Sequence, residues 1–470
     1  MNPLLHGFVL PNSCLRIAPA KYVVVLPGSR RGNRVPSHLK LNHRCIALLH
    51  HPSVQDFHWQ CFFSRQIGND RKIQLVRRGS DVGDDGERAK ELECQLRTGT
   101  TCYRFLHIWL KLQKNLIPDL KHLLGPVPVS KLLVLALRPC QTVQQEILQS
   151  DIQSKADKSP VTVADYGSQV LVSLALNMEV TSGSFSMVAE EDSEDLRKDN
   201  AEEILEHITD LVNETLAENG SYNITLSKEG ILSAIDTGKS EGGPSGRHWV
   251  LDPIDGTKGF LRGGQYAIAL ALLDEGKVVL GVLGCPNLPL TSISNLNGSS
   301  SGDQTGALFS ATIGCGAEVE SLEGSPPQKI SVCTIDNPVN ASFFESYEGA
   351  HTMHDLTGSI AEKLGVQAPP VRIDSQAKYG ALACGVGAIY LRFPHKGYKE
   401  KIWDHAAGAI VVTEAGGVVT DASGNDLDFS KGRFLDVDTG IIATNKQLMP
   451  SLLKSVQEAI KEKSQAPSPL

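Results

Sequence analysis

The stretch Trp249-Val-Leu-Asp-Pro-Ile-Asp-Gly-Thr-Lys-Gly-Phe260 constrains this chain more than any other. Trp249–Leu251 reads as a short apolar strand. Asp252 and Asp255 follow it, separated only by Pro253 and Ile254. Proline donates no ladder hydrogen bond and breaks helix interiors, so the spacing predicts a turn at Pro253. That turn would free the Ile254 carbonyl and gather it with two carboxylates just ahead of Gly256-Thr257. An oxygen-rich corner of this kind suits a hard divalent cation such as Mg²⁺. A bare D-x-x-D pair is usually no more than a solvated turn, so this reading requires further acids elsewhere in the chain.

Two such clusters exist. Val188-Ala-Glu190-Glu191-Asp192 is a second apolar run that ends in acids, and Lys401-Ile-Trp-Asp404-His-Ala-Ala-Gly408 leads into an apolar segment that stops at Gly416-Gly417. The pattern places Asp404 at a helix N-cap and the double glycine at the helix end. An acid at a helix N-terminus can hold a cation while the helix amides face an anion.

Together, Glu190-Glu191, Asp252-Pro-Ile-Asp-Gly-Thr257 and Trp403-Asp404-x-Ala-Ala-Gly408 resemble the lithium-sensitive, Mg²⁺-dependent phosphomonoesterases. That group includes inositol monophosphatases, inositol polyphosphate 1-phosphatases, fructose bisphosphatases and 3'(2'),5'-bisphosphate nucleotidases. The similarity is greatest to the plant bisphosphate nucleotidase (phosphoadenosine phosphatase) branch. It runs from about Pro139 to Lys461 and includes Lys155-Ala-Asp157-Lys-Ser-Pro-Val-Thr162, His351-Thr-Met-His354, Asp374-Ser-Gln-Ala-Lys-Tyr379 and Tyr390-Leu-Arg-Phe-Pro394. The 62 positions from Glu190 to Asp252 make a long interval for an inositol monophosphatase.

The resemblance implies the layered αβαβα sandwich of this superfamily, an α/β (α+β) fold. It also implies removal of the 3'-phosphate of adenosine 3',5'-bisphosphate, and of its 5'-phosphosulfate counterpart, with lithium sensitivity and a place in sulfur metabolism. Two divalent ions about 3.5–4 Å apart clamp the attacking and leaving oxygens of a phosphoryl transfer. On this pattern Glu190, Asp252 and the Ile254 carbonyl would hold one Mg²⁺, Asp252, Asp255 and Asp404 a second, and Glu190 with Asp157 a weaker third. No His or Cys is among these ligands, which suits Mg²⁺. Asp157 with Thr257 would take the proton of the attacking water. The Gly256 and Thr257 amides would hold the reacting phosphate. His351, Ser375, Lys378, Arg392 and Asp404 would bind the rest of the substrate, with Lys378 and Arg392 meeting a second phosphate. Two alternatives stay open on the residues alone: an inositol polyphosphate 1-phosphatase, and an inactive phosphonucleotide or metal sensor. The complete set of carboxylates counts against the sensor.

Charge divides the chain. Residues 1–138 carry 21 Lys/Arg against 9 Asp/Glu, whereas residues 139–470 carry 24 against 44. The acidic body argues against a nucleic-acid polymer as partner, and no apolar run is long enough to span a bilayer. The expected partner is a small phosphonucleotide, and the expected state a monomer or weak dimer. Residues 1–55 contain no Asp or Glu, the composition of an organelle transit peptide. The sequence thus predicts a disordered or irregular leader over 1–130, with a plastid or mitochondrial address if the leader is a transit sequence and a cytoplasmic one otherwise. An α+β metal-binding domain is expected over 131–325, an α/β substrate domain over 326–462 and a tail over 463–470. Cys45, Cys61, Cys94 and Cys102 form no C-x-x-C pair, which leaves a zinc site there without support, and His351-x-x-His354 is not read as a pair of zinc ligands. Pro139 is expected to break a first helix, leaving one from about Gln141 to Ser150. Cys285 and Cys315 flank one sheet region and are read as separate thiols.

Overall fold

A computed structural model describes residues 129–146, 152–154, 160–180, 185–220, 222–289, 305–347, 352–395 and 397–465, together with four earlier strands. The chain divides into two units, 1–115 and 116–470. In the first, β1 (Leu48–Leu49), β2 (His58–Ile67), β3 (Asp70–Arg78) and β4 (Leu92–Arg97) pair in sequence order as an antiparallel sheet.

The second unit holds two larger sheets and one small ribbon. The ribbon pairs β5 (Ile152–Ser154) with β6 (Pro160–Thr162). The seven-stranded sheet contains β7 (Ser186–Ala189), β8 (Arg247–Asp255), β9 (Ala267–Asp274), β10 (Lys277–Pro289), β11 (Thr305–Thr312), β12 (Gly316–Ser321) and β13 (Gln328–Ile330), ordered β13-β12-β11-β10-β9-β8-β7. Its pairs are antiparallel except β7 with β8. The five-stranded sheet contains β14 (Phe343–Glu345), β15 (Val371–Arg372), β16 (Ile389–Arg392), β17 (Gly417–Asp421) and β18 (Ile441–Asn445), ordered β15-β14-β16-β18-β17.

Strand alternation sets the layers. Trp249, Leu251, Ile268 and Leu270 point to one face of the seven-stranded sheet and join the apolar sides of α1 (Val129–Glu146), α2 (Val163–Glu179), α3 (Glu202–Asn219) and α4 (Lys228–Asp236). Val250, Ala267, Ala269 and Ala271 point to the other face. They share a second core with α7 (Ala377–Ala383), α8 (Ala406–Glu414) and one face of the five-stranded sheet. Ile389, Leu391 and Ile442 face away into a third core with α6 (His354–Leu364) and α9 (Met449–Gln465). The remaining helix, α5 (Thr257–Leu261), follows β8. The result is the expected αβαβα sandwich. Buried between two sheets, α8 is apolar all round, as a fully enclosed helix must be. It can approach β10 because position 281 is glycine: a Cβ there would lie 2.4 Å from Ile410 Cγ2.

The sandwich corrects several local expectations. α1 runs unbroken through Pro139 and ends at Glu146. Proline inside a helix costs about 3 kcal/mol. Leu133, Ala136, Leu137, Cys140 and Val143 are buried along that helix, and burial of a large apolar side chain is worth about 1.5–3 kcal/mol, so packing outweighs the lost hydrogen bond. β8 likewise continues through Pro253. Asp252 faces Ala269 and Asp255 faces Ala267, so three steps on β8 span two on β9. The expected turn is therefore a β-bulge inside a strand, and the proline's missing donor falls where the ladder is already interrupted. Asp404 ends a 3₁₀ turn, Ile402–Asp404, and His405 takes the cap position, leaving the Asp404 carboxylate free for long-range contacts. α4 had no counterpart in the sequence reading.

Candidate active site

The bulge decides which way the β8 acids point. By strand alternation alone, residues three apart would face opposite sides of the sheet. The extra residue brings Asp252 and Asp255 together at the end of β8. Glu190 comes from the end of neighbouring β7, and Asp404 from the 3₁₀ turn before α8. Asp252 is 1% exposed, and its Oδ1 has no hydrogen-bond partner. Burial, followed by the charges of Glu190, Asp255, Asp404 and Asp165, pushes its carboxyl well above the usual aspartate range. Asp255 is pushed up to about 7, by burial first and Asp404 next, with Lys378 and Arg392 opposing. Asp404 is also raised by burial, against the pull of Arg392, His405 and Lys401.

So many acids sharing one buried corner is costly without a counter-charge, and the cations of the chain reach it only in part. Lys401 Nζ is 4.0 Å from Glu190. Arg392 donates to Asp404 Oδ2 at 3.2 Å but is held chiefly by Glu400, at 2.7–2.9 Å. A buried carboxylate oxygen with no partner, ringed by acids and carbonyls, fits a hard divalent cation held by Glu190, Asp252, Asp255 and Asp404. The Ile254 carbonyl accepts from Thr257 Oγ1 at 3.3 Å. Glu400, Asp404 and His405 also place ligand atoms within 4.8 Å of one another. Within that group Glu400 and His405 are already partnered: His405 Nε2 and Glu400 Oε2 are 2.9 Å apart, Tyr379 occupies His405 Nδ1, and Arg392 completes the network.

Around the acids, local sequence fixes the remaining parts. Thr162 and Asp165 form a capping box on α2: Asp165 Oδ2 accepts from Thr162 N at 2.8 Å, while Thr162 Oγ1 accepts from the Asp165 amide. The other Asp165 oxygen accepts from Thr257 Oγ1 at 3.4 Å. The contact of Asp165 with Thr257, 92 positions away, has no local signal in the sequence. Gly256 has φ +87°, and a Cβ there would lie 3.0 Å from Ser375 Cβ, so this turn requires glycine on both counts. Ser375 is itself left-handed at φ +65°, which lets the next amide, of Gln376, donate to Asp255 Oδ2 at 2.5 Å. Gln376 also joins Trp403 O and the Gly408 amide, tying α7 to the Asp404 turn.

Lys378 is buried, donates to the Ile373 carbonyl at 2.9 Å, and is lowered to about 8 by burial. The structure therefore brings together Glu190, Asp252, Ile254, Asp255, Gly256, Thr257, Ser375, Lys378, Arg392 and Asp404. Asp157 and His351 lie outside the described residues. His354 Nδ1 meets Glu345 at 2.9 Å, but Arg372 shares that same oxygen. Cys285 and Cys315 are both free thiols, as read.

Two layered sheets enclosing an acid-lined corner define a class, and the chain belongs to the inositol monophosphatase family, whose profile matches residues 157–461. Among its curated relatives, the 3'(2'),5'-bisphosphate nucleotidase of Oryza sativa is 83% identical over 341 residues, spanning 72% of this chain and 95% of the relative. The 3'(2'),5'-bisphosphate nucleotidase 1 of Arabidopsis thaliana is 67% identical over 335 residues, spanning 71% and 95%. The 3'(2'),5'-bisphosphate nucleotidase of Emericella nidulans is 44% identical over 322 residues, spanning 66% and 90%.

Proposed function

We propose that this chain is a Mg²⁺-dependent phosphatase that removes the 3'-phosphate of adenosine 3',5'-bisphosphate, giving AMP and phosphate, and that it also accepts 3'-phosphoadenosine 5'-phosphosulfate. The observation that carries the metal dependence is the partnerless buried Oδ1 of Asp252 among converging acids. The nucleotide specificity is supported by the names of relatives that the chain covers almost end to end.

Divalent ions held by Glu190, Asp252, the Ile254 carbonyl, Asp255 and Asp404 would neutralise charge on the phosphoryl oxygens and lower the pKa of the attacking water. The chain's own groups do the rest. Thr257 Oγ1, donating toward both Ile254 O and Asp165, stands at the start of α5 with its proton relayed toward a carboxylate. Asp157 is assigned the proton from water, with Thr257 orienting it. The Gly256-Thr257 amides orient the reacting phosphate. His351, Ser375, Lys378 and Arg392 are assigned to the rest of the nucleotide, Lys378 and Arg392 to its second phosphate, and the pull of those two on Asp255 couples that site to the acidic corner. The acidic body would otherwise repel a second dianion. If the basic leader is a transit sequence, its address is plastid or mitochondrial; otherwise it is cytoplasmic. Among the described residues no helix is long and apolar enough to cross a membrane.

Phosphate release from a panel tests this reading: adenosine 3',5'-bisphosphate, its 5'-phosphosulfate, adenosine 3'-monophosphate and an inositol bisphosphate, each with Mg²⁺, with chelator and with Li⁺. The first two should dominate, only with Mg²⁺, and Li⁺ should inhibit. Equal turnover of the inositol ester would overturn the specificity, and turnover in chelator would overturn the metal.

A further inference from the structure

Arg433 lies outside every motif of the sequence, on the segment that follows the 3₁₀ turn Phe429–Lys431, yet its contacts converge on the acidic corner. Its guanidinium donates to three backbone carbonyls: Ala189 at 2.6 Å, Ser240 at 2.9 Å and Gly238 at 3.2 Å. Ala189 is the residue immediately before Glu190. The guanidinium carbon also stands 4.8 Å from the ring centroid of Trp403, the residue immediately before Asp404. The backbone of the same segment pairs with the stretch that carries Asp404. The Ile402 amide donates to Arg433 O at 3.1 Å, the Leu435 amide donates to Glu400 O at 2.8 Å, and Lys401 bridges Phe434.

Glu190 and Asp404 are 214 positions apart in sequence and arrive from different elements. Arg433 grips the main chain next to the first and covers the side chain next to the second. We propose that Arg433 is a positioning residue for the divalent cation, fixing the spacing between the Glu190 and Asp404 carboxylates without touching the ion or the substrate. This rests on the metal assignment proposed above. A planar guanidinium can reach three carbonyls and stack on an indole at once, and an ammonium cannot. The role therefore belongs to arginine rather than to positive charge in general. Partners that orient metal ligands typically carry 10- to 100-fold in metal affinity.

The experiment uses the full chain and the variants R433K and W403L. Mg²⁺ is titrated twice: by thermal shift without substrate, and by phosphate release at saturating substrate. In R433K the Mg²⁺ midpoint should rise roughly tenfold in both titrations, kcat at saturating Mg²⁺ should return to within about threefold of wild type, and KM should hold. W403L removes the ring and keeps the carbonyl contacts, so its midpoint should rise by a smaller factor. If R433K lowers Tm and kcat together while its Mg²⁺ midpoint stays at the wild-type value, Arg433 is structural only and the proposal falls. Should R433K fail to fold, W403L decides alone: a raised midpoint supports the clamp, an unshifted one overturns it. A wild type with no Mg²⁺ response would remove the metal assignment and the clamp together, whereas a responsive wild type with unshifted variants would remove only the clamp.

Discussion

Glu400 and Asp252 are two carboxylates at the same depth, 0% and 1% exposed, and both feel the charge of a shared neighbour, Asp404. Burial penalises both in the same way. Glu400 is met by Arg392 and His405, which hold it well below the usual glutamate range despite that burial. Asp252 meets Glu190, Asp255, Asp404 and Asp165, and is driven the other way. The contrast separates two uses of buried acid. Where a charge serves the fold, the chain supplies the counter-ion itself. At the β8 bulge it supplies one only in part, which is the ground for the cation proposed there.

The largest expected effect comes from attacking the under-compensated side. D252N or D255N removes a ligand charge and should lower kcat on the order of a thousandfold or more, with metal-free stability unchanged or raised because a penalised charge is gone. A variant that loses stability while keeping turnover would erase the contrast.

The compensated side should respond in the opposite order, stability first. R392A leaves Glu400 buried without its main partner, and removing one member of a buried pair costs about 3–5 kcal/mol. Sequence alone would have Arg392 serve only a second phosphate and spare substrates that lack one. Its bonds to Glu400 and Asp404 lead instead to losses with adenosine 3'-monophosphate as well as with the bisphosphate. Denaturant unfolding and kcat/KM on both substrates check this, and intact turnover of the monophosphate would restore the simpler role.

A third test uses pH. The Asp255 carboxyl rises from 3.8 to about 7 on folding, so between those values the folded chain binds more protons than the unfolded one. Stability of the metal-free protein should therefore fall as pH rises across that window. Glu400 has the reverse sign: its contribution is complete above the ordinary glutamate pKa, near 4.3, and is lost only as pH drops below it. Thermal unfolding in chelator should show Tm decreasing from about pH 5 to about pH 7.5, by several degrees, and Mg²⁺ should flatten that slope. A metal-free Tm that climbs over the same range would break the contrast. The smallest expected effect is none: a chain beginning at Leu116 should keep full kcat and the same Tm, since both regions lie in the 116–470 unit. A clear loss on truncation would give the leader a part in the folded body.

Much of this was legible in the sequence because it was local. The strand leading into Asp252 and the acidic clusters each carry their signal within a dozen residues. What escaped was long-range. Pro253 looked like a turn because nothing nearby shows that β9 will take the bulge, and Pro139 looked like a break because the apolar face that outweighs it is satisfied by α2 and β10. Asp404 looked like a cap because Arg392 approaches it only in the folded sheet. Asp165, Gln376 and Arg433 act through partners 92, 121 and 244 positions away, distances over which no spacing rule operates.

Among the described residues, the strand that delivers Glu190 is also the last in its sheet, with β8 on one side and, on the other, only the short bridge of Val188 to Lys239. Terminal strands open by local fluctuation at a lower free energy than the whole domain. Amide hydrogen exchange along Ser186–Ala189 should therefore be faster than along β9 or β10. A cation bound at Glu190 would act as a staple on that margin, slowing exchange there while leaving the central strands unaffected. Occupancy of the acidic corner and the lifetime of the closed edge would then be two readings of one equilibrium.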